Sequence, residues 1–204
     1  MKHALIAQSR IDSPLGPLTL ATTAQGLALA WFDAQVHRTA SVDAPEQADH
    51  PLLRQAAREF DAYWADASSV FTVPLDPRGT PFQQAVWQVL RGIAPGALCS
   101  YGDVARRIDN PTAVRAVGAA IGRNPLGIIV PCHRVVGSNG ALTGYAGGLP
   151  RKQALLQHEG AQAGISGTSA GTVGGWPMAM TTATVTATVT ATVTATVTAV
   201  RLAR

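Results

Sequence analysis

Two cysteines in 204 residues, Cys99 and Cys132, are too few for a disulfide framework. The five histidines stand at no recognisable spacing around them, which leaves no zinc site of the usual kind. Nowhere do eighteen consecutive apolar residues occur, so no stretch has the length of a membrane-spanning helix. The opening Met1-Lys2-His3-Ala4-Leu5-Ile6-Ala7-Gln8 lacks the sustained apolar run of a signal peptide. No glycine-rich phosphate loop follows a strand, so no nucleotide cofactor is implied. These absences predict a reduced, cytoplasmic protein with no metal, no cofactor and no membrane partner.

What is present is an apolar fraction of 47%, enough to build a core, which excludes a disordered or fibrous chain. The net charge of +4 hides an uneven division. Residues 1–77 carry five basic against nine acidic residues, a balance of −4, whereas residues 78–163 carry nine against three, a balance of +6. The remaining forty-one residues hold only Arg201 and Arg204. An acidic and a basic half in one chain suggest a polyanion as partner.

In the first segment, Ser13-Pro14-Leu15-Gly16-Pro17 reads as a turn before the alternating Leu18-Thr19-Leu20-Ala21. A second apolar run, Leu27 to Phe32, completes a β-hairpin. Pro51 opens a stretch with Leu52, Leu53, Ala56, Phe60, Tyr63 and Trp64 at helical spacing, and a strand is expected near Val70 to Val73. Thr80-Pro81-Phe82-Gln83 combines a capping hydroxyl, a proline at the first helical position and a glutamine able to reach back to the cap. The helix it starts should bury Phe82, Val86, Val89, Leu90 and Ile93. Ser100 and Asp103 repeat the capping pattern for a short helix to about Ile108, and Asn110-Pro111 should start a third. On that third helix Val114, Val117, Gly118 and Ile121 form the expected core stripe, with Arg115, Ala119 and Gly122 facing outward. Two short helices joined tightly read as a helix-turn-helix.

Ile128-Ile129-Val130 reads as a short buried strand or the approach to one, and Pro131 breaks it just before Cys132-His133-Arg134. A loop rich in turn residues follows, then a last helix from Pro150 to His158, closed by Gly160. Beyond Gly164 the chain turns to Gly, Ser, Ala and Thr and then to an Ala-Thr-Val-Thr repeat, a low-complexity tail expected to be disordered.

A lone buried cysteine is most often an inert packing residue. Cys132, however, stands between a proline and a His-Arg pair, and a buried thiol becomes a nucleophile only with a base nearby. His133 is the candidate. In a regular strand the two side chains would point to opposite faces, so contact requires a bent backbone or a bridging water, and Pro131 makes the bend plausible.

Pro131-Cys132-His133-Arg134-Val135 resembles the active-site signature of the O6-alkylguanine-DNA alkyltransferases. The resemblance covers about residues 9 to 160. It runs from Ser13-Pro14-Leu15-Gly16-Pro17 through Phe82-Gln83-Gln84-Ala85-Val86-Trp87, Ser100-Tyr101-Gly102-Asp103 and Arg123-Asn124-Pro125 to His158-Glu159-Gly160. It implies an α+β protein of two domains, an N-terminal ribonuclease H-like α/β domain (1–77) and a C-terminal winged-helix-like, helix-turn-helix domain (78–163), followed by the tail (164–204). It implies one-step transfer of an alkyl group from guanine O6, and by expectation thymine O4, to Cys132, which consumes the protein.

By the same resemblance Glu159 and His133 relay the thiol proton through a water, and Asn124 is a hinge residue. Tyr101 crowds the phosphate and assists the leaving guanine, and Arg115 fills the stack after the base flips out. Duplex DNA is implied as partner, met by Tyr101, Gly102, Asn110, Arg115, Ala119, Gly122 and Ser138, and a monomer is expected. Val135, Tyr145 and Ala146 would line the base pocket, with Ala146 standing where some relatives carry serine. Read alone, Tyr101 is an ordinary half-buried aromatic, Arg115 a solvated helix residue, and Arg106, Arg107 and Arg123 a solvated basic face as readily as phosphate contacts. The rival functions are a lesion-binding protein without catalysis, whose members carry Trp in place of the nucleophile, and a cysteine hydrolase. The second lacks an identifiable oxyanion hole and leaves the helix-turn-helix unexplained.

Overall fold

The computed structural model describes residues 4–33, 35–36 and 42–161, which belong to one compact unit; the low-complexity tail lies outside the described residues. The chain opens with an antiparallel sheet in the order β1 (Ala7–Ile11), β2 (Leu18–Thr22), β3 (Leu27–Phe32). The expected hairpin is β2–β3, with Leu18 opposite Phe32 and Leu20 opposite Ala30. Strand β1 adds a third member, pairing Ile11 with Leu18. Its inward residues are Ala7 and Ser9, so it shows almost no apolar alternation in the sequence.

Helix α1 (Pro51–Ala65) lays Leu53, Ala56, Phe60 and Tyr63 against the sheet, as its spacing predicts. The strand expected near Val70 to Val73 is not formed. The Glu59 carboxylate accepts the backbone N–H groups of Thr72 and Val73 at 3.0 and 3.1 Å, and the Thr72 hydroxyl as well, so a side chain satisfies donors that a strand would pair with a neighbour. The chain meets the sheet a little later, where Leu27 donates to the Pro74 carbonyl and Asp76 donates to the Leu27 carbonyl. Gly26 permits this approach, since a Cβ there would lie 2.5 Å from the Pro74 oxygen.

Helix α2 (Pro81–Arg91) starts on the Thr80–Gln83 capping box. It buries Val86, Trp87 and Leu90, while Phe82 and Val89 are half-buried. Trp87 lies outside the expected buried face; its indole N–H donates to the Ala120 carbonyl at 2.9 Å and ties α2 to the second helix of the helix-turn-helix. A two-residue strand β4 (Cys99–Ser100) leads into α3 (Tyr101–Arg107), capped reciprocally by Ser100 and Asp103. Helix α4 (Val114–Gly122) begins later than expected. Residues 110–113 form a turn in which Ala113 N–H donates to the Asn110 carbonyl, after Asp109 takes a positive φ of 54°. Val114 is therefore exposed on the first turn rather than in the core, and Val117, Ala120 and Ile121 form the buried stripe.

Residues 124–130 make a turn instead of a strand, with Ile128 held at φ 71°. Cys132–Arg134 form one turn of 3-10 helix, and β5 (Val135–Val136) pairs in parallel with β4. Helix α5 (Leu149–His158) ends before Gly160, whose φ of 70° is the left-handed stop the sequence predicts. A single hydrophobic cluster runs from Leu20 and Phe60 through Val86, Leu90 and Val117 to Cys132 and Leu155.

Candidate functional site

The site is assembled by the turn of residues 124–130. Asn124 is buried and spans that turn from inside: its Oδ1 accepts from Leu126 N–H at 3.0 Å, and its Nδ2 donates to the Val130 carbonyl at 2.7 Å. The same Nδ2 reaches the Cys132 sulfur at 3.2 Å. A left-handed conformation at a β-branched residue costs on the order of 1–3 kcal/mol. The Asn124 bonds and the burial of Ile128 offset that cost. The turn is also docked on the free edge of β3, where Ala30 N–H donates to the Pro125 carbonyl and Gly127 N–H donates to the Ala30 carbonyl at 2.7 Å.

The 3-10 turn supplies the bend that a strand would have denied, so Cys132 and His133 need not face opposite ways. His133 is fully buried and its Nε2 lies 2.8 Å from Glu159 Oε1. Burial lowers the imidazole pKa, against the opposing pull of Glu159. Burial works to raise the Glu159 pKa, but hydrogen bonds from His133 and Arg134 prevail and hold it down at about 2. A neutral imidazole facing an ionised carboxylate carries its proton on Nε2. Nδ1 then presents a lone pair, and it is buried with no hydrogen-bond partner among the described residues. That lone pair is chemically able to accept a proton.

Sequence reasoning missed three further participants. Arg134 Nε and Nη2 grip the two oxygens of Glu159 at 2.7 and 2.8 Å, and Nη1 donates to the Ile93 carbonyl. Tyr63, from α1, donates its hydroxyl to Glu159 Oε1 at 2.9 Å. Lys152 is fully buried and donates to the carbonyls of Val135 and Thr143 at 2.5 and 2.6 Å. Burial lowers its ammonium pKa to about 8, opposed by the charge of Cys132. Lys152 precedes Leu155, Leu156 and Glu159 at i+3, i+4 and i+7, so a lysine on the buried stripe of an amphipathic helix was a visible anomaly.

Above the sulfur opens a cavity of about 460 Å³ lined by Tyr101, Gly118, Cys132, Thr143, Tyr145 and Ala146, among others. The Tyr101 hydroxyl lies 3.4 Å from the Gly144 carbonyl, which places it at the rim. Burial raises the Tyr145 pKa well above its usual value, so the phenol stays protonated. Val135 is not a lining residue: β5 buries it completely, and its carbonyl serves Lys152. Cys99 is buried in β4, and burial pushes its thiol up to about 11, so it remains protonated and unreactive.

Arg115, Ala116 and Ala119 are exposed along α4, and Gly118 and Gly122 border the cavity. A second hollow adjoins them, lined by Arg78, Gln83, Trp87, Gly118, Ala119, Gly122 and Arg123. Gly102 lies in the first turn of α3, and Asn110 is exposed in the turn between α3 and α4. Ser138 is exposed in the turn after β5 and does not line the cavity. Arg106 is exposed and paired with Asp103. No cluster of three or more metal-ligating side chains occurs among the described residues, and no helix among them is long and apolar enough to cross a membrane.

Residues 6–77 match the family model of the ribonuclease-like domain of 6-O-methylguanine DNA methyltransferase, and residues 81–161 match the model of its DNA binding domain. The methylated-DNA–protein-cysteine methyltransferase of Methanosarcina acetivorans is 44% identical, over 73% of this chain and 95% of the relative. The protein of that name from Mycobacterium tuberculosis is also 44% identical, over 78% and 95%. The crystal structure of Mycobacterium tuberculosis OGT in complex with DNA superposes with a TM-score of 0.69 at 46% identity, covering 76% of this chain and 92% of that one. With matches of this extent over both segments that build the cavity and its thiol, the chain belongs to the 6-O-methylguanine DNA methyltransferase family.

Proposed function

We propose that this protein repairs alkylated DNA by direct reversal, moving an alkyl group from guanine O6 in a duplex to the Cys132 sulfur in a single turnover. The observation that carries this reading is the array at the cavity floor: a thiol held by Asn124, beside an imidazole whose free nitrogen is a base and whose other nitrogen is fixed by an ionised carboxylate. A guanine inside a duplex cannot reach a buried thiol, so the base must rotate into the cavity. Arg115, on the outward face of α4, is the side chain to fill the vacated stack, and the small residues beside it let the helix approach a groove closely. The exposed arginines Arg106, Arg107 and Arg123, with Ser138, Asn110 and the backbone at Gly102, serve the phosphates.

In the chemical step the Cys132 proton passes through a water to His133 Nδ1, and Glu159 stabilises the imidazolium. The thiolate attacks the alkyl carbon, the carbon–O6 bond breaks, and its electron pair passes into the purine, which takes up a proton with help from the Tyr101 hydroxyl. The products are S-alkylcysteine and guanine. A thioether has no good leaving group, so the protein is consumed. Tyr145 and the backbone at Ala146 pair with the guanine edge. The wall at residue 146 bears only a methyl group, so a backbone N–H there serves O6. Residues 1–77 and 78–163 are taken as the two domains, the protein as a monomer, and its place of action as the cytoplasm, consistent with Cys99 and Cys132 not being joined in a disulfide.

The test is incubation with a duplex containing O6-methylguanine, followed by peptide mass spectrometry. One methyl per protein, on Cys132, is expected; label elsewhere, or turnover beyond one equivalent, overturns the mechanism. Cys132→Ala should abolish transfer and retain lesion binding, and loss of both would mean that the cavity is not the base pocket.

A further inference from the structure

Glu159 is more heavily engaged than an orienting carboxylate requires. Its Oε1 accepts from His133 Nε2, Arg134 Nη2 and the Tyr63 hydroxyl at 2.8, 2.8 and 2.9 Å. The first two donors come from the turn that carries the nucleophile. Tyr63 comes from α1, 96 residues away in sequence, and is 1% exposed. It is clamped there twice more: its backbone carbonyl accepts from His158 Nε2 at 2.8 Å, and its ring packs edge-on against Trp64 and His158. Burial and the neighbouring carboxylate raise the phenol pKa, so it is a donor at every working pH.

We infer that Tyr63 is a positioning residue of the alkyl transfer, a donor from the N-terminal segment that fixes Glu159 and sets how strongly the carboxylate holds the His133 proton. A hydrogen bond donated to a carboxylate makes it a weaker acceptor for its other partners. With Tyr63 in place, Glu159 orients the imidazole without claiming its proton or raising its basicity excessively, and His133 stays neutral and available as the base. Around His133 stand Glu159 and Lys152 at α5, Arg134 and Cys132 in the 3-10 turn, and Tyr63 from α1. Of these, Tyr63 is the donor that can be removed without removing a charge. The inference rests on the reading of His133 as the base in the proposed repair reaction.

Tyr63→Phe keeps the ring and deletes the hydroxyl. It should raise the His133 titration midpoint by about half a unit to one unit, followed by NMR of the imidazole nitrogens in the DNA-free protein and assigned with His133→Gln. The acid limb of the transfer rate should move upward by the same amount, and the plateau rate should fall by roughly tenfold as Glu159 loosens. Phe71→Leu, which trims the ring packed on Tyr63 but leaves the hydroxyl, should lower the melting temperature with the midpoint unmoved. An unchanged midpoint in Tyr63→Phe, or an equal shift in Phe71→Leu, overturns the inference. The NMR titration needs no DNA, so a wild-type protein that fails to methylate Cys132 would remove the repair reading while the Tyr63 coupling is still measured.

Discussion

Glu159 shows how one side chain can serve chemistry and stability at once. It is a buried anion with the Arg134 guanidinium on both oxygens and the imidazole on one. Glu159→Gln leaves the Arg134 cation buried without a counter-charge, which by analogy with other broken buried pairs costs about 3–5 kcal/mol. The pH dependence follows from the same contacts. The folded-state pKa of Glu159 is about 2 against the usual 4.5, so its contribution is fully present above 4.5 and is lost as pH falls toward 2. His133, whose pKa burial depresses below 6.5, works in the same direction: below 6.5 the unfolded chain takes up a proton that the folded site resists. Melting temperature should therefore fall from about pH 6.5 downward and most steeply between about 4.5 and 2. Glu159→Gln should flatten that last limb in circular-dichroism melts. If the variant and the wild type keep parallel curves down to acid pH, Glu159 is not the group responsible.

At the scale of elements, α4 places function against stability. Gly118 is an interior residue of this helix and borders both the cavity and the neighbouring hollow. Glycine inside a helix is less stable than alanine by roughly 0.5–1 kcal/mol. A Cβ at Gly118 would meet only the Tyr101 ring at 3.8 Å, an ordinary contact. Gly118→Ala should thus raise stability by most of that increment and, on the proposed function, weaken binding of lesion-containing duplex, because the added methyl narrows the cavity mouth beside the Tyr101 ring. A rise in melting temperature with undiminished affinity would mean that the lesion base does not enter past Tyr101 and Gly118. The helix starts that carry their own chemistry were legible in the sequence, as the capping boxes of Thr80 and Ser100 show, because every atom involved lies within four residues. The stretch near Val73 was not, because the Glu59 carboxylate that replaces its strand partner lies thirteen or fourteen residues away on a helix. The 3-10 turn at Cys132 was legible only as a proline-induced break, since its direction is set by Asn124 inside the preceding turn.

The molecule as a whole joins an acidic and a basic segment through the site itself. The Cys132, His133 and Glu159 positions were legible from the motif, but Tyr63 was hidden, since nothing in its helical spacing distinguishes a core tyrosine from one whose hydroxyl holds a carboxylate. What spans the two segments is substantial. The β3 edge holds the 124–130 turn through Ala30; α1 holds Glu159 and His158 through Tyr63; and Arg151 of α5 donates to the Leu15 carbonyl while stacking 4.7 Å over the Phe32 ring. One hydrophobic cluster underlies both segments, so opening either exposes the other's core. Two independently stable domains would melt separately; two segments sharing core and polar links should unfold as one cooperative unit. Calorimetry should therefore show a single transition whose calorimetric and van't Hoff enthalpies agree. Two resolved transitions would mean that the contacts through Ala30, Tyr63 and Arg151 contribute too little to couple the segments. Because Tyr63→Phe removes only one of those links, it should shift the single transition downward without splitting it.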